Sequence, residues 1–567
     1  MCHAALTSTT TTTAAAAAAA NQHAKEPSQG VGSRANLGGC GEVGGAVSQG
    51  RRGGAGPGSA PRQVVRGGRV AAVMRDYISL RAQALLAKKP VKRGDVILTS
   101  KPFCTLLDSS VVGCYCEYCF VSFVKDRLLT RCSGCGRAYY CSEMCQELGR
   151  ALHWRECVVF RRRPNYQPKD SARFLARLIW VLKDGGEARV EKIDDKRSRR
   201  FKDLVSHRRE VSRDEEQTKN LDSLMPDLRQ LVGKRVMPTR DYLLEIFGKV
   251  RVNSFCLLDD RLTPIGTSLY LAASYIDHDC HANAFVTFFR NKLVVRSLVD
   301  WPNLDWSRVR ISYLDIMNTR TYRQDYLARH YYFTCDCRLC RDDAHDLLTS
   351  TVPCGSCGEP VYLDEEAEDA VGPCDACGNK SFPDNLRQDY RRVADLTRLH
   401  LKDLDEANPD LEVWMEVVAA QEGLMHPLNL LRAKALDAQL MATFVRQGWH
   451  TAWGLAKKNH AAMRHYYGAK HPTYGLFLMR LGKIELCNLA FSDAFEHLRE
   501  AEEILEAGLG SNHRLVFDDL TWLLIQASEE KKIQIQRSLI YGNHLTAPSS
   551  RQQHAEAHSH AHTRGRS

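Results

Sequence analysis

The sequence predicts an α+β chain in which short strands are interrupted by metal-bound cysteine segments and followed by a helical region. Three observations carry this. Apolar positions alternate through 76–112 and again through about 284–313, as half-buried strands require. Thirteen of the 21 cysteines fall in close pairs or triplets. Beyond the last of these, nearly everything to about 530 follows helical spacing. At 567 residues the chain can hold two to four domains and bury a sizeable core.

The two ends read as low-complexity tails. Residues 1–70 run from TSTTTTTAAAAAAA into a Gly/Arg/Ser-rich tract, and 531–567 turn polar and His-rich from 545. His554, His558, His560 and His562 belong to that solvated tail rather than to a metal site. The alanine run lacks the flanks and bulk of a signal peptide, and no apolar stretch is long enough to span a membrane. The formal charge of +11 resides largely in the tails. Residues 1–70 hold seven Lys/Arg against two Glu, and 541–567 hold three Arg against one Glu, leaving +4 for the rest. A body that grips nucleic acid by charge is not indicated.

Between the tails the order is as follows. Residues 71–113 carry strands around the turn Lys92-Arg93-Gly94-Asp95, and 114–160 form a cysteine-dense block. Helices occupy 161–251, broken by the charged stretch 184–220 with its run Lys196-Arg-Ser-Arg-Arg200. That run reads as a nuclear address or, more often, as a solvated charged turn; nucleus and cytoplasm are both expected. Strands return within 252–314, followed by cysteine segments at 315–345 and 346–385. In the helical region 386–530, Leu481-Gly482, Ala494, Leu498 and Ala501 sit at the offsets of a tetratricopeptide helix pair, with an ordinary helical bundle as the alternative.

Without a secretory signal the compartment is expected to be reducing, where clustered cysteines bind metal. Cys116, Cys119, Cys132, Cys135, Cys141, Cys145, His153 and Cys157 supply eight ligands for two tetrahedral zincs. Cys354, Cys357, Cys374 and Cys377 form two knuckles of a zinc-ribbon-like insert and imply another zinc. The triplet Cys335, Cys337 and Cys340 is one ligand short, and Cys280 in the stretch YIDHDCHAN can complete it.

The cysteine block, with Tyr139-Tyr140 and His153-Trp154, resembles the MYND finger. That resemblance implies interleaved sites, Cys116, Cys119, Cys141 and Cys145 on one zinc and Cys132, Cys135, His153 and Cys157 on the other. Three further segments, Asp277-His-Asp-Cys-His-Ala-Asn283, Ile311-Ser312-Tyr313 and Phe333-Thr-Cys-Asp-Cys-Arg-Leu-Cys340, together resemble the SET-domain lysine methyltransferases that carry MYND fingers. Val252-Asn253-Ser254-Phe255, His471-Pro472 and Leu481-Gly482-Lys483 extend the resemblance over about 76–525.

The resemblance implies a SET β-fold with an inserted MYND finger and helical insert, a zinc-bound post-SET segment and a C-terminal TPR-like helical domain. It implies S-adenosylmethionine as cofactor and a protein lysine, on histone tails or elsewhere, as substrate. Tyr313 would be the catalytic tyrosine, with Tyr331 and Phe333 closing the lysine channel and flanking the cofactor. Asn253, Ser274, Asp277 and His278 match cofactor-contacting positions, as His207 does in a shorter match. A monomer is expected, with proline-rich peptides as candidate partners of the finger. Three departures stand against this pattern. The family's opening Gly-x-Gly turn reads Leu80-Arg81-Ala82-Gln83-Ala84, Asp277 replaces an asparagine, and Ala282 replaces a proline. A catalytically weak or inactive scaffold, recruiting partners through finger and helices, is the alternative; a structural repeat adaptor with incidental zinc explains neither Cys280 nor Tyr313.

Overall fold

Small antiparallel sheets form the centre of the molecule, and helices cover them from two sides. The computed structural model describes residues 90–122, 128–367, 371–404 and 409–545. The 1–70 tail, the 76–89 part of the first strand run with the Leu80–Ala84 turn, and the His-rich tail from 546 lie outside the described residues. Among the described residues no helix is long and apolar enough to cross a membrane.

The Lys92–Asp95 turn forms as its residues dictate. Gly94 takes φ +92°, Asp95 N–H donates to Lys92 O at 3.0 Å, and the Asp95 carboxylate accepts from Lys92 N–H at 2.8 Å. The chain enters β1 (Val96–Ser100) and β2 (Cys104–Leu107). The cysteine block follows, with β3 (Thr130–Arg131), β4 (Tyr139–Tyr140) and α1 (Glu143–Arg162). Ser142 caps α1 by accepting from Cys145 N–H, which also orients that thiol.

The helical insert comprises α2 (Asp170–Lys183), a hairpin of β5 (Glu191–Lys192) and β6 (Ser198–Arg199), α3 (Arg208–Arg213), α4 (Glu215–Val232) and α5 (Arg240–Asn253). The expected break at 184–220 is therefore shorter. Helix resumes at Arg208, and Asp214 caps α4 by accepting from Gln217 N–H. Two sheets then close. The strands β7 (Ser254–Leu258) and β8 (Pro264–Leu269) place β8 between β2 and β7. After β9 (Asp277–His278), β10 (Ala284–Phe289) and β11 (Lys292–Ser297) place β11 between β1 and β10. β12 (Arg310–Ile311) pairs in parallel with β9, so the 277–283 loop is threaded beside it. Asn283 fixes the crossing, accepting from Arg310 N–H and donating to Arg308 O, both at 2.8 Å.

The chain continues through α6 (Arg320–Tyr331), α7 (Asp343–Leu348) and the paired strands β13 (Thr351–Pro353) and β14 (Pro360–Tyr362). Seven helices complete it: α8 (Leu386–Lys402), α9 (Leu411–Gln421), α10 (Leu430–Val445), α11 (Trp449–Tyr467), α12 (Pro472–Cys487), α13 (Phe491–Leu509) and α14 (Thr521–Leu545). α12 and α13 are the pair whose small residues stood out. A Cβ on Gly482 would lie 2.5 Å from Leu498 Cγ, so only glycine permits this approach. The four-cysteine ribbon shares a core with α8 through Val352, Val361, Tyr390 and Val393. Asn429 stitches it further, donating to Thr351 O at 3.1 Å and Tyr390 Oη at 2.7 Å.

The finger is joined to the body by a buried ion network. Arg177 of α2 donates to Glu156 of α1, to Glu117 between two finger cysteines at 2.7 Å, and to Thr105 O of β2 at 2.9 Å. Arg173 takes the other Glu156 oxygen at 3.1 Å. Glu156 is fully buried; burial alone would raise its carboxyl, but Arg173 and Arg177 overcome it and hold the group down to about 2. Arg177→Met should leave two buried carboxylates short of a partner and cost about 3–5 kcal/mol. A fall in the thermal unfolding midpoint, partly recovered in Arg177→Met/Glu156→Gln, checks this.

Candidate functional site

Sixteen ligand atoms converge in four tetrads, each with its atoms within 4.8 Å of one another. The finger sites interleave. Cys116, Cys119, Cys141 and Cys145 form one, and Cys132, Cys135, His153 and Cys157 the other. Cys280 joins Cys335, Cys337 and Cys340 in the third, and Cys354, Cys357, Cys374 and Cys377 form the fourth. Closest sulfur–sulfur distances include 3.5 Å for Cys119–Cys141, 3.8 Å for Cys132–Cys157, 3.7 Å for Cys280–Cys340 and 3.6 Å for Cys354–Cys377. Thiolates about 2.3 Å from one tetrahedral zinc stand roughly 3.8 Å apart, so the donor sets match that ion. Burial lowers the His153 imidazole to about 4, the neutral state a metal ligand needs. Every cysteine among the described residues is free of disulfide.

The third tetrad borders the remaining site residues. His278 is buried between two partners: Nδ1 accepts from Tyr313 N–H at 3.0 Å, and Nε2 lies 3.3 Å from Cys280 Sγ. With Nδ1 accepting, Nε2 carries the proton and donates to the sulfur. Burial keeps this imidazole neutral, lowering it to about 4. The side chain expected to touch a cofactor is thus engaged at both nitrogens by the protein itself.

Tyr313 lies with its ring centroid 5.4 Å from that of His278 and 4.9 Å from that of Tyr331, and its hydroxyl donates to Ile276 O at 2.6 Å. Burial, then the Asp277 carboxylate, pushes its phenol well above the ordinary range. Three consecutive aromatics fan out here. Tyr331 meets Tyr313, Tyr332 meets His207 at 5.3 Å, and Phe333 meets His278 at 6.1 Å. Tyr332 at φ +60° makes the fan possible by ending α6 in the left-handed region, where a bulky side chain is disfavoured.

The other expected residues join this wall. Asn253 Nδ2 donates to Val205 O at 2.9 Å and Lys249 O at 2.8 Å, tying the end of α5 to the segment that carries His207. Ser274 Oγ donates to Leu271 O at 2.8 Å. Asp277 is exposed at the start of β9. Tyr332 and Arg199 reach the site without having been assigned to it from the sequence, where Arg199 read as part of a solvated basic run. Arg199 donates to Ser274 O and lies 5.5 Å from the Tyr275 ring centroid. Next to Tyr313 in the chain, Ser312, Leu314 and Asp315 line a cleft shared with Phe285, Tyr467 and His471. Desolvation raises the carboxyl of the half-buried Asp315, which accepts from Tyr467 Oη at 2.9 Å.

The family model for the MYND finger matches residues 116–157. The human histone-lysine N-methyltransferase SMYD3 is 25% identical over 452 residues, covering 78% of this chain and 95% of that protein. The human N-lysine methyltransferase SMYD2 is 27% identical over 442 residues, 76% of this chain and 93% of that protein. The histone-lysine N-methyltransferase ASHR1 of Arabidopsis thaliana is 25% identical over 443 residues, 76% and 90% respectively.

Elemental analysis should return four zinc ions per chain, one for each tetrad. Cys280→Ser should lower the count to three and reduce stability more than a surface substitution does, because the lost thiolate sits inside the core.

Proposed function

The chain belongs to the SET and MYND domain-containing family of protein-lysine methyltransferases, and from that premise we propose that it transfers a methyl group from S-adenosylmethionine to a lysine of a protein substrate. The observation carrying this reading is the contact of the half-buried Tyr313 with the buried Tyr331, ring centroids 4.9 Å apart, with His278 packed on Tyr313 and a cleft opening at its chain neighbours Ser312 and Leu314. Asn253, Ser274, Asp277 and His278 are the residues we assign to the cofactor.

The donor set suits the cofactor. Backbone carbonyls suit an ammonium, aromatic faces at Phe333 and Tyr332 suit a planar base, and Ser254 Oγ beside Asn253 is buried without a partner. Bound S-adenosylmethionine supplies an electrophilic methyl on a sulfonium. The protein must supply a neutral amine held in line with it. A lysine brought against the Tyr313 and Tyr331 rings loses hydration, which disfavours its ammonium form and releases the proton to solvent. Tyr313 stays protonated because burial raises its pKa, and its hydroxyl proton is engaged by Ile276 O. The phenol oxygen can therefore accept from the amine and orient it. His278 holds the Tyr313 backbone in place, and Cys280 holds His278.

The finger supports a second, compatible role in partner binding. Met144, Leu148 and Trp154 are exposed along α1, and the Arg155 guanidinium covers the Trp154 ring at 4.5 Å. A stiff proline-rich peptide docks well on such an aromatic surface. Trp154→Ala should weaken binding of a proline-rich peptide while leaving the zinc content unchanged.

Calorimetric titration with S-adenosylmethionine should show saturable binding at or below millimolar concentration. Tyr313→Phe should slow methylation of a protein substrate by about ten- to a thousandfold while changing cofactor affinity little. No binding to the wild-type chain at millimolar concentration would leave the scaffold reading in its place.

A further inference from the structure

Of the basic run Lys196–Arg200, one residue turns toward the site. The hairpin that carries it is pinned to the central sheets through Glu191. Its Oε1 accepts from Ser100 Oγ at 2.7 Å and Lys101 N–H at 3.1 Å, and its Oε2 accepts from Ala272 N–H at 2.9 Å. Arg197 is consumed within the hairpin by Asp194 at 2.7 Å. Arg199, on the opposite strand and half-buried, donates to Ser274 O and reaches Asp203 O at 3.5 Å. Its guanidinium therefore stands between two stretches assigned above to the cofactor, Ser274–Asp277 and the segment leading to His207.

Charge decides what that cation faces. Asp277, Arg199 and Arg310 are the charged side chains whose fields reach Tyr313. Arg310 stands opposite Asp277 in the β9–β12 pair, but its Nη1 turns back along its own chain to Ser307 O at 2.8 Å and Val309 O at 2.9 Å, whereas the contacts of Arg199 bridge Ser274 and Asp203. Arg199 has five N–H donors, of which those two carbonyl contacts take two. The amino-acid end of S-adenosylmethionine is a zwitterion. An ionised Asp277 only accepts hydrogen bonds, so it can meet the ammonium but repels the carboxylate. The carboxylate requires a cation on the same wall, and a guanidinium fork matches its geometry.

Resting on the methyltransferase reading above, we infer that Arg199 anchors the carboxylate of the cofactor's amino-acid end, with Asp277 beside it receiving the ammonium. The exchange of the family's loop asparagine for Asp277 is then one half of a matched pair of opposite charges. Arg199 is a binding residue in this scheme and takes no part in the methyl transfer.

The test compares two ligands on full-length protein: S-adenosylmethionine, and its decarboxylated analogue, which keeps the sulfonium and the ammonium. Arg199→Met should weaken S-adenosylmethionine by about ten- to a hundredfold and leave the analogue unchanged. Arg199→Lys should recover part of the loss, because a point charge remains without the fork. Asp277→Asn should weaken both ligands alike. Zinc content and the unfolding midpoint of each variant establish that it is folded. An equal loss for both ligands in Arg199→Met, or no loss for either, overturns the inference and assigns Arg199 to shaping the hairpin. Failure of wild-type protein to bind S-adenosylmethionine overturns the methyltransferase reading, and the inference falls with it.

Discussion

One metal tetrad sets the geometry of the site from both sides. Cys280 lies two residues beyond His278, and Cys335 lies two residues beyond Phe333, yet their sulfurs are 4.0 Å apart. The threaded 277–283 loop and the aromatic fan at the end of α6 therefore end on the same four-cysteine cluster. The hydrogen bonds that hold Tyr313 depend on that closure, because the imidazole supporting its backbone rests against the Cys280 sulfur. In a site of this kind metal affinity and pocket shape are one free energy, and a change in either is felt by the other.

A different device joins the finger to the rest. Two zinc sites would give a self-sufficient module on a flexible tether, but Arg177 reaches from the helical insert into both halves of it. Glu117 lies between Cys116 and Cys119, and Glu156 immediately precedes Cys157. Buried ion pairs of this sort contribute modestly to net stability, since desolvation offsets most of the attraction. Their effect is on registry: a carboxylate buried without its guanidinium is costly, which leaves the finger one seat on the body.

The features legible in the sequence were those with local signatures. Cysteine pairs two or three residues apart can be read without knowing the fold, and so could the Lys92–Asp95 turn and the small residues of α12 and α13. The features that escaped depend on distant partners. Arg199 sits in a basic run that reads as solvated surface, and its carbonyl partner is 75 residues away. Arg177 and Glu156 look like the polar faces of ordinary helices until α1 and α2 are packed together. Nothing in the run Tyr331-Tyr332-Phe333 signals that its middle residue adopts a left-handed backbone, though that conformation sends each ring to a different neighbour. The motif around His278 does not tell which way its imidazole points, and the structure turns it toward Tyr313 N–H and the Cys280 sulfur.

The ribbon at 351–377 is bound into the helices rather than hung from them. Its strands share a core with α8, and Asn429 ties both to the start of α10. On the same flank His345 of α7 stacks on His465 of α11, with ring centroids 4.9 Å apart. A junction that would serve as a hinge in a two-lobed enzyme is thus braced at successive levels. Ribbon and helices on this flank therefore share one packed core, and opening either exposes the apolar surface of the other.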